Sequence, residues 1–437
     1  MKLLEKFRML AFWSLDFMAG SPIKKHYNEV CKVMQNPLDN DNDVVSKKNL
    51  SDLLNHAIHT TKFYNHLKST AGISDFPIVN KAIIRESFDS FCSGKYSKSD
   101  LIQVVTSGST GTPFKVYHDR NKKLRNHADT IYFASLAGFR IGAKLIYMKI
   151  FARQKTRSPL HYWMQNILPV DVIKLNDLQI AQLISQIKKE KSSFNFLGYS
   201  SSLELVCKYL DKNHTGKVDA NVKSVISISE SLNEYTKVTF KKYFNVQAVS
   251  RYSNLENGII AQQVTDDSGR YLVNTASYVL EILKLDNNEP AESGQLGRIV
   301  ITDLFNYGMP LIRYDTGDIG AYAVEPDNSG NTYLSSIEGR KLDLLFDTSG
   351  NLVSSYIVYK NMWQYTEIIQ YQLIQESKTE YVFKINIEGS FNKEVQLINE
   401  FKEYLGEDAI FNVEYVSEIP LLNSGKRRKI VNNYIKG

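Results

Sequence analysis

A chain of 437 residues, 43% hydrophobic and 23% charged, is long enough to bury a large core and to divide into two or three domains. This composition excludes disordered and fibrous classes, and the net charge of +6, spread along the chain without an arginine-rich arm, argues against nucleic-acid binding. A weak positive field suits an anionic nucleotide or polyanion better. Three cysteines, Cys31, Cys92 and Cys207, stand far apart, which argues against a disulfide framework and a CxxC zinc site and suits a reducing, cytoplasmic setting.

In chain order, "MKLLEKFRMLAFWSLDFMAG" comes first. Its apolar run Met9–Trp13 is too short to span a bilayer, and Glu5 spoils a signal-peptide pattern. The expectation is an N-terminal helix packed on its domain, with peripheral membrane contact as the alternative. "LSDLLNHAIHTTKFYNHLKS" reads as a helix with Leu50, Leu53, Leu54 and Ile58 on one face, and "DFPIVNKAIIRESFDSF" sets Pro77 before a helical run. The middle of the chain repeats strand, small-residue turn and helix: "SSFNFLGYSSSLELVCKYL", "VKSVISISESLNEYTKVTFKKYF" and, similarly, "NVQAVSRYSNLENGIIAQQ". That grammar predicts an α/β domain with largely parallel strands, whose ligands sit at the strands' carboxyl ends. From Tyr278 onward "YVLEILKL" and "GRIVITDL" read as strands of a β-rich portion. After Arg340 a small α/β unit follows, with strands in "EIIQYQLIQE", "YVFKINIE" and "AIFNVEYVSEI". Between them lies a helix with a Ser390 cap, a Val395, Ile398, Phe401, Leu405 stripe and Gly406 as its stop. The expected divisions are a core at 1–338 and a small lid at 344–437, joined through 339–343.

Against this frame stand several short polar stretches. "TSGSTGT", Thr106–Thr112, lies between two β-prone segments; it is either a flexible hairpin turn or a loop whose N–H and O–H groups converge on a phosphate. "SISESL" holds Ser229, Glu230 and Ser231 at a strand end, "YSNLENG" holds Tyr252, Ser253 and Glu256, and "LIRYDTGDIG" holds Asp315 and Asp318. "IEGRKLD" holds Arg340, and "IPLLNSGKRRKIV" holds Lys426. Each has an ordinary structural reading. Glu256 suits a helix N-terminus, Asp318 a turn, Arg340 the surface, Lys426 a solvated basic run and Tyr199 a core strand end. No GxxxxGK[ST] loop exists, so a P-loop NTPase is excluded. "GYSSS" lacks the final glycine of a nucleophile elbow, because Ser202 stands there. His56 and His59, one turn apart, read as surface residues without further ligands, and no zinc site emerges.

Taken in order, these stretches resemble the adenylate-forming superfamily of acyl-CoA synthetases, adenylation domains and luciferases. "FPIVNK" and "TSGSTGTPFKVYHD" are most similar to its phenylacetate–CoA ligase-like branch and, within that, the subgroup associated with capsular polysaccharide biosynthesis. The resemblance runs from about Leu50 to the C-terminus. It implies a large α/β domain with a mobile C-terminal lid that makes an acyl-adenylate from ATP and a small carboxylic acid, releases pyrophosphate and passes the acyl group to an acceptor. It also implies residue roles. Thr106, Ser107, Gly108, Ser109, Thr110 and Gly111 would hold phosphates, and Glu256 would hold Mg²⁺. Asp318 would hold the ribose diol and Arg340 ribose or phosphate. Ser229, Glu230, Ser231, Tyr252 and Ser253 would border the nucleotide, Tyr199 would wall the acyl pocket, and Lys426 would offset charge at the reacting centre. The chain departs from the pattern at Thr112, where a lysine is usual and Lys115 is the candidate replacement, and at Leu342 before Asp343. "LLFDTSGNLVSS" departs too, where the pantetheine loop belongs, which argues against CoA as acceptor and leaves a sugar amine, an amino acid or a carrier thiol. A CoA ligase and a non-catalytic scaffold of the same fold are the alternatives.

Overall fold

The computed structural model describes residues 2–106, 114–151, 158–190, 192–214, 216–324, 329–340, 344–420 and 427–434. It divides into two compact units. The larger comprises residues up to Thr106, Phe114–Thr316 and Gly320–Ser336; the smaller comprises Gly317–Ile319 and the chain from Ile337 onward.

The larger unit is built on an eleven-stranded sheet. Its spatial order is Tyr278–Leu283, Gly297–Asp303, Tyr314–Tyr322, Tyr333–Arg340, Tyr271–Val273, Gly258–Gln263, Ala248–Asn254, Val222–Ile228, Phe194–Tyr199, Lys144–Lys149 and Ile167–Asp171. The last five run parallel. Helices Asp177–Lys189, Ser200–Asn213 and Glu234–Phe244 bury Leu183, Leu203, Val206, Leu210 and Phe240 against Ile146, Phe196 and Val225. Helix Arg120–Leu136 contributes Ala134 to a separate cluster with Ile226 and Val249. Side chains of alternate residues on a strand leave by opposite faces, so near-continuous apolar strands of this kind need cover on both sides.

Two sequence expectations for this unit change. "NVQAVSRYSNLENGIIAQQ" is a hairpin, Ala248–Asn254 paired antiparallel with Gly258–Gln263, because its second half alternates β-prone residues into a buried sheet position. The helix expected from Leu50 runs Asn40–Thr60 instead. Asp39 caps it by accepting from the Asp41 N–H at 2.9 Å, and Thr61 turns extended so that Tyr64 packs with Phe76 and Phe91. A second core of this unit unites Leu53, Ile58, Phe76, Val79, Phe114, Met309 and Tyr314. It thereby ties "FPIVNK" to the segments around residues 114 and 314.

The smaller unit has a four-stranded sheet in the order Ile410–Tyr415, Glu380–Ile387, Ile368–Gln375, Ile430–Asn432. Helix Glu394–Leu405 buries Leu397, Phe401 and Leu405, spaced four apart, while Val395 is 73% exposed. The stripe is thus rotated from the expected one, and the cap position is Lys393 rather than Ser390. "LLFDTSGNLVSS" forms a hairpin, Leu345–Phe346 against Leu352–Val353, whose turn is closed by Asp347 Oδ1 accepting from the Asn351 N–H at 2.7 Å.

Candidate active site

The carboxyl ends of three adjacent parallel strands carry the first group of sequence candidates. Tyr199 pairs in register with Ile228, and Ile228 with Arg251, so Tyr199, Ser229–Ser231 and Tyr252–Ser253 lie side by side. Ser229 takes a left-handed φ of 73°, a strained conformation for a residue with a Cβ, which turns the chain sharply off its strand. Glu230 accepts from the Ser201 N–H at 2.9 Å. Its carboxylate thus sits at the N-terminus of helix Ser200–Asn213, where negative charge is favoured.

Glu256 is the centre of the second group. The turn that carries it is set by Asn254, whose Oδ1 accepts from the Asn257 N–H at 2.8 Å. It ends at Gly258, with φ 107°, where a Cβ would lie 2.6 Å from Asn126 Oδ1 and 3.1 Å from the Tyr278 hydroxyl. Glycine alone fits that conformation and that space. The Glu256 side chain is 2% exposed; Lys81 Nζ is 2.9 Å from Oε1, and the Tyr314 hydroxyl donates to the same oxygen at 3.2 Å. Its backbone carbonyl accepts from His118 Nε2 at 2.7 Å, which fixes the proton on that ring nitrogen. Burial, reinforced by the Lys122 charge, lowers the His118 pKa and keeps the ring neutral.

Four separate motifs therefore meet on one carboxylate turn: "FPIVNK" through Lys81, "FKVYHD" through His118, "YSNLENG" through Glu256 and "LIRYDTGD" through Tyr314. The backbone repeats the link. The Val79 N–H donates to Arg313 O at 3.1 Å and the Asp315 N–H to Val79 O at 2.8 Å. The Tyr252 hydroxyl donates to Thr316 Oγ1 at 3.4 Å, and Asp315 is held by Arg298 Nη1 at 2.8 Å. That ion pair anchors Asp315 near the start of strand Tyr314–Tyr322. Behind the turn, the Tyr278 hydroxyl donates to the Asn257 carbonyl and takes Lys122 Nζ at 3.0 Å. Lys122 pairs with Asp303 at 2.7 Å, both fully buried.

Lys81 was not singled out from the sequence, although a signal exists. It is the first residue of helix Lys81–Glu86, capped by Asn80, and a cation is unfavourable at a helix N-terminus unless an acidic partner offsets it. His56 also differs from expectation: it is half-buried, with Nε2 2.9 Å from Tyr307 O and its ring edge-on to Tyr307.

Thr106 ends strand Ile102–Thr106, paired antiparallel with Phe114–His118, and its buried Oγ1 has no hydrogen-bond partner among the described residues. Ser107, Gly108, Ser109, Thr110, Gly111 and Thr112 lie outside the described residues, as do Leu342, Asp343 and Lys426. Asp318 sits half-buried on strand Tyr314–Tyr322, and Arg340 closes strand Tyr333–Arg340, its side chain lying outside what is described. Among the described residues no three His, Cys, Asp or Glu side chains gather as a metal cluster. Glu256 is a single hard oxygen donor, the ligand set that Mg²⁺ uses when substrate phosphates complete its shell.

Arg251, beside Tyr252, is buried; its Nε donates to Gln262 Oε1 at 2.9 Å, while Nη2 has no partner among the described residues. Burial lowers its pKa to about 10, and no carboxylate among the described residues offsets it. An uncompensated buried charge costs several kcal/mol. Arg251→Met is therefore expected to leave the ligand-free protein at least as stable as wild type in a urea titration; a lower midpoint would mean that the guanidinium is a structural tie.

Comparison with known proteins places this geometry. Residues 345–433 match the CapK C-terminal domain family. Over 446 aligned residues the chain is 22% identical to Protein CapK of Staphylococcus aureus, covering 95% of this chain and 94% of that one. Among solved structures, 2-hydroxyisobutyryl-CoA ligase in its postadenylation state, in complex with R3-HIB-AMP, superposes with a TM-score of 0.68 at 14% identity, over 90% of each chain. ATP-bound MatB from Rhodopseudomonas palustris gives 0.54 at 15% identity, over 77% of this chain and 68% of that one. The chain has the adenylate-forming ligase fold, and its residues 345–433 are similar to the CapK C-terminal domain.

Proposed function

We propose that the protein uses ATP to convert a carboxylic acid to an acyl-adenylate and pyrophosphate, then transfers the acyl group to an acceptor in surface-polysaccharide assembly. The observation that carries this reading is the buried Glu256 turn, on which four motifs of the resemblance converge. The fold supports it, since proteins of similar fold have been captured with ATP or an acyl-AMP.

In this reading the hydroxyl loop after Thr106 binds the β- and γ-phosphates. A nucleophilic carboxylate oxygen of the acid attacks the α-phosphorus, and pyrophosphate leaves. Mg²⁺, held by Glu256 together with phosphate oxygens, would screen the phosphate charge. Lys81 and Tyr314 hold the Glu256 carboxylate in place, which is preorganisation set before the substrate arrives. Ser229–Ser231 border the adenine, Tyr252 and Ser253 border the nucleotide, Asp318 takes the ribose hydroxyls and Arg340 the ribose or phosphate. Tyr199 walls the acid, and Lys426 offsets charge as the new P–O bond forms. The Arg251 Nη2, without a partner among the described residues, favours an acid bearing a second acceptor oxygen, because a site with a buried donor rejects analogues that leave it unpaired. An amine or hydroxyl acceptor is favoured over CoA, given the departures at 344–355.

The nucleotide assignment has a direct test. Asp318→Ala should weaken ATP binding by about ten- to a hundredfold, the equivalent of a charge-assisted hydrogen bond. Calorimetry on a folded variant with unchanged affinity would remove the ribose role.

A further inference from the structure

The N-terminal helix Leu3–Met18 presents the wrong face to solvent for an ordinary surface helix. Its two carboxylates, Glu5 and Asp16, are buried at 2% and 6% exposure. Leu3, Phe7, Leu10, Phe17 and Met18 are 86%, 66%, 60%, 76% and 73% exposed. At 3.6 residues per turn these five share one face, opposite Glu5 and Asp16.

The orientation is fixed by polar contacts. Glu5 accepts from the Ser193 N–H at 2.8 Å, and Asp16 accepts from the Ile23 and Lys24 N–H groups at 2.9 Å each, closing the N-terminus of helix Pro22–Gln35. Gly142, with φ 90°, lets the helix backbone approach closely, since a Cβ there would collide with Glu5 O. The apolar face is thus held outward rather than left loose.

Two further features adjoin it. The short helix Pro159–Met164 exposes Leu160, Trp163 and Met164, and Arg8 ties it to the first helix by donating to Trp163 O at 3.3 Å with its guanidinium 5.5 Å from the Trp163 ring centre. Lys2, Lys6, Lys24 and Lys25 are all exposed, and the acidic residues among 2–25 are only the two buried ones. An apolar patch with a basic rim and no exposed acid is complementary to lipid acyl chains beneath anionic headgroups. Packed against a second copy of itself, the same patch would bring like-charged rims together. No helix among the described residues is long and apolar enough to cross a membrane, so the face lies along a bilayer rather than through it.

We propose that the outward face of helix Leu3–Met18, extended by Leu160 and Trp163, docks the protein on an anionic membrane surface, with the lysines at headgroup level. This does not depend on the adenylation reading. The test is flotation of the full chain with phosphatidylcholine vesicles and with vesicles of phosphatidylcholine mixed with phosphatidylglycerol. The protein should float with the mixed vesicles, less at high salt. The double variant Phe7→Glu/Leu10→Glu should melt as wild type does, because both side chains are exposed, yet lose at least about tenfold in partitioning. Val238→Glu, a change at an apolar residue 63% exposed on another helix, should float normally. Wild type that stays with the unbound fraction, or a double variant that floats equally, overturns the proposal. So does a lipid-free dimer that the double variant abolishes while wild type ignores vesicles, since the occupant would then be a second copy.

Discussion

Replacing Lys426 by alanine is expected to slow acyl-adenylate formation by about 10²–10³-fold, the loss typical of a preorganised charge donor at a reacting centre. The expectation rests on its place in "NSGKRRK" near the C-terminus, where the resemblance sets the lysine that meets the carboxylate and α-phosphate. Transfer from a chemically supplied acyl-adenylate should survive, because the resemblance implies a mobile lid that would carry Lys426 away from the centre in that half-reaction. Both steps should be assayed on one preparation. Equal losses in both, in a variant that melts normally, would show that Lys426 is not specific to adenylation.

The largest stability effect should follow Lys122→Met. The ammonium is fully buried between Asp303 and Tyr278, and its removal leaves an uncompensated buried carboxylate. Breaking one side of such a pair costs about 3–5 kcal/mol. The change should also loosen the Glu256 turn, since Tyr278 links Lys122 to the Asn257 carbonyl. The double variant Lys122→Met/Asp303→Leu should recover most of the loss, because apolar replacement of a whole buried pair is often neutral. Chemical denaturation of the three proteins measures this. A single variant within about 1 kcal/mol of wild type would contradict the assignment.

Much of the fold was legible in the chain because alternating strand, small-residue turn and amphipathic helix is a local pattern. Phe194–Tyr199 into Ser200–Asn213 and Val222–Ile228 into Glu234–Phe244 follow it directly. The Gly258–Gln263 segment did not, because a short apolar run after a turn reads equally as helix or strand until its partner is known. The Glu394–Leu405 helix was expected, but its buried face was misjudged, since Leu397 and Val395 are equally apolar and only packing chooses between them.

The site was half legible. Glu256, Tyr252 and Ser229 stand in recognisable motifs, and strand register brings Tyr199, Ser229 and Tyr252 together. What surrounds Glu256 comes from segments far apart in sequence, and no local pattern announces that Lys81, His118 and Tyr314 will converge on it. The orientation of the first helix was hidden for another reason. Apolar residues ring it completely, so periodicity cannot say which face turns inward. The two polar pins, Glu5 and Asp16, decide that through contacts with Ser193 and the N-terminus of the next helix.

The central claim is acid activation by ATP, and carboxylate-dependent exchange of labelled pyrophosphate into ATP tests it most directly. Across a panel of carboxylic acids with Mg²⁺, the wild-type protein should exchange label with at least one acid, and preferentially with acids carrying a second acceptor oxygen. Glu256→Gln should lose that exchange while remaining folded. Wild-type protein that binds no ATP by calorimetry and exchanges no label with any acid in the panel would contradict the account.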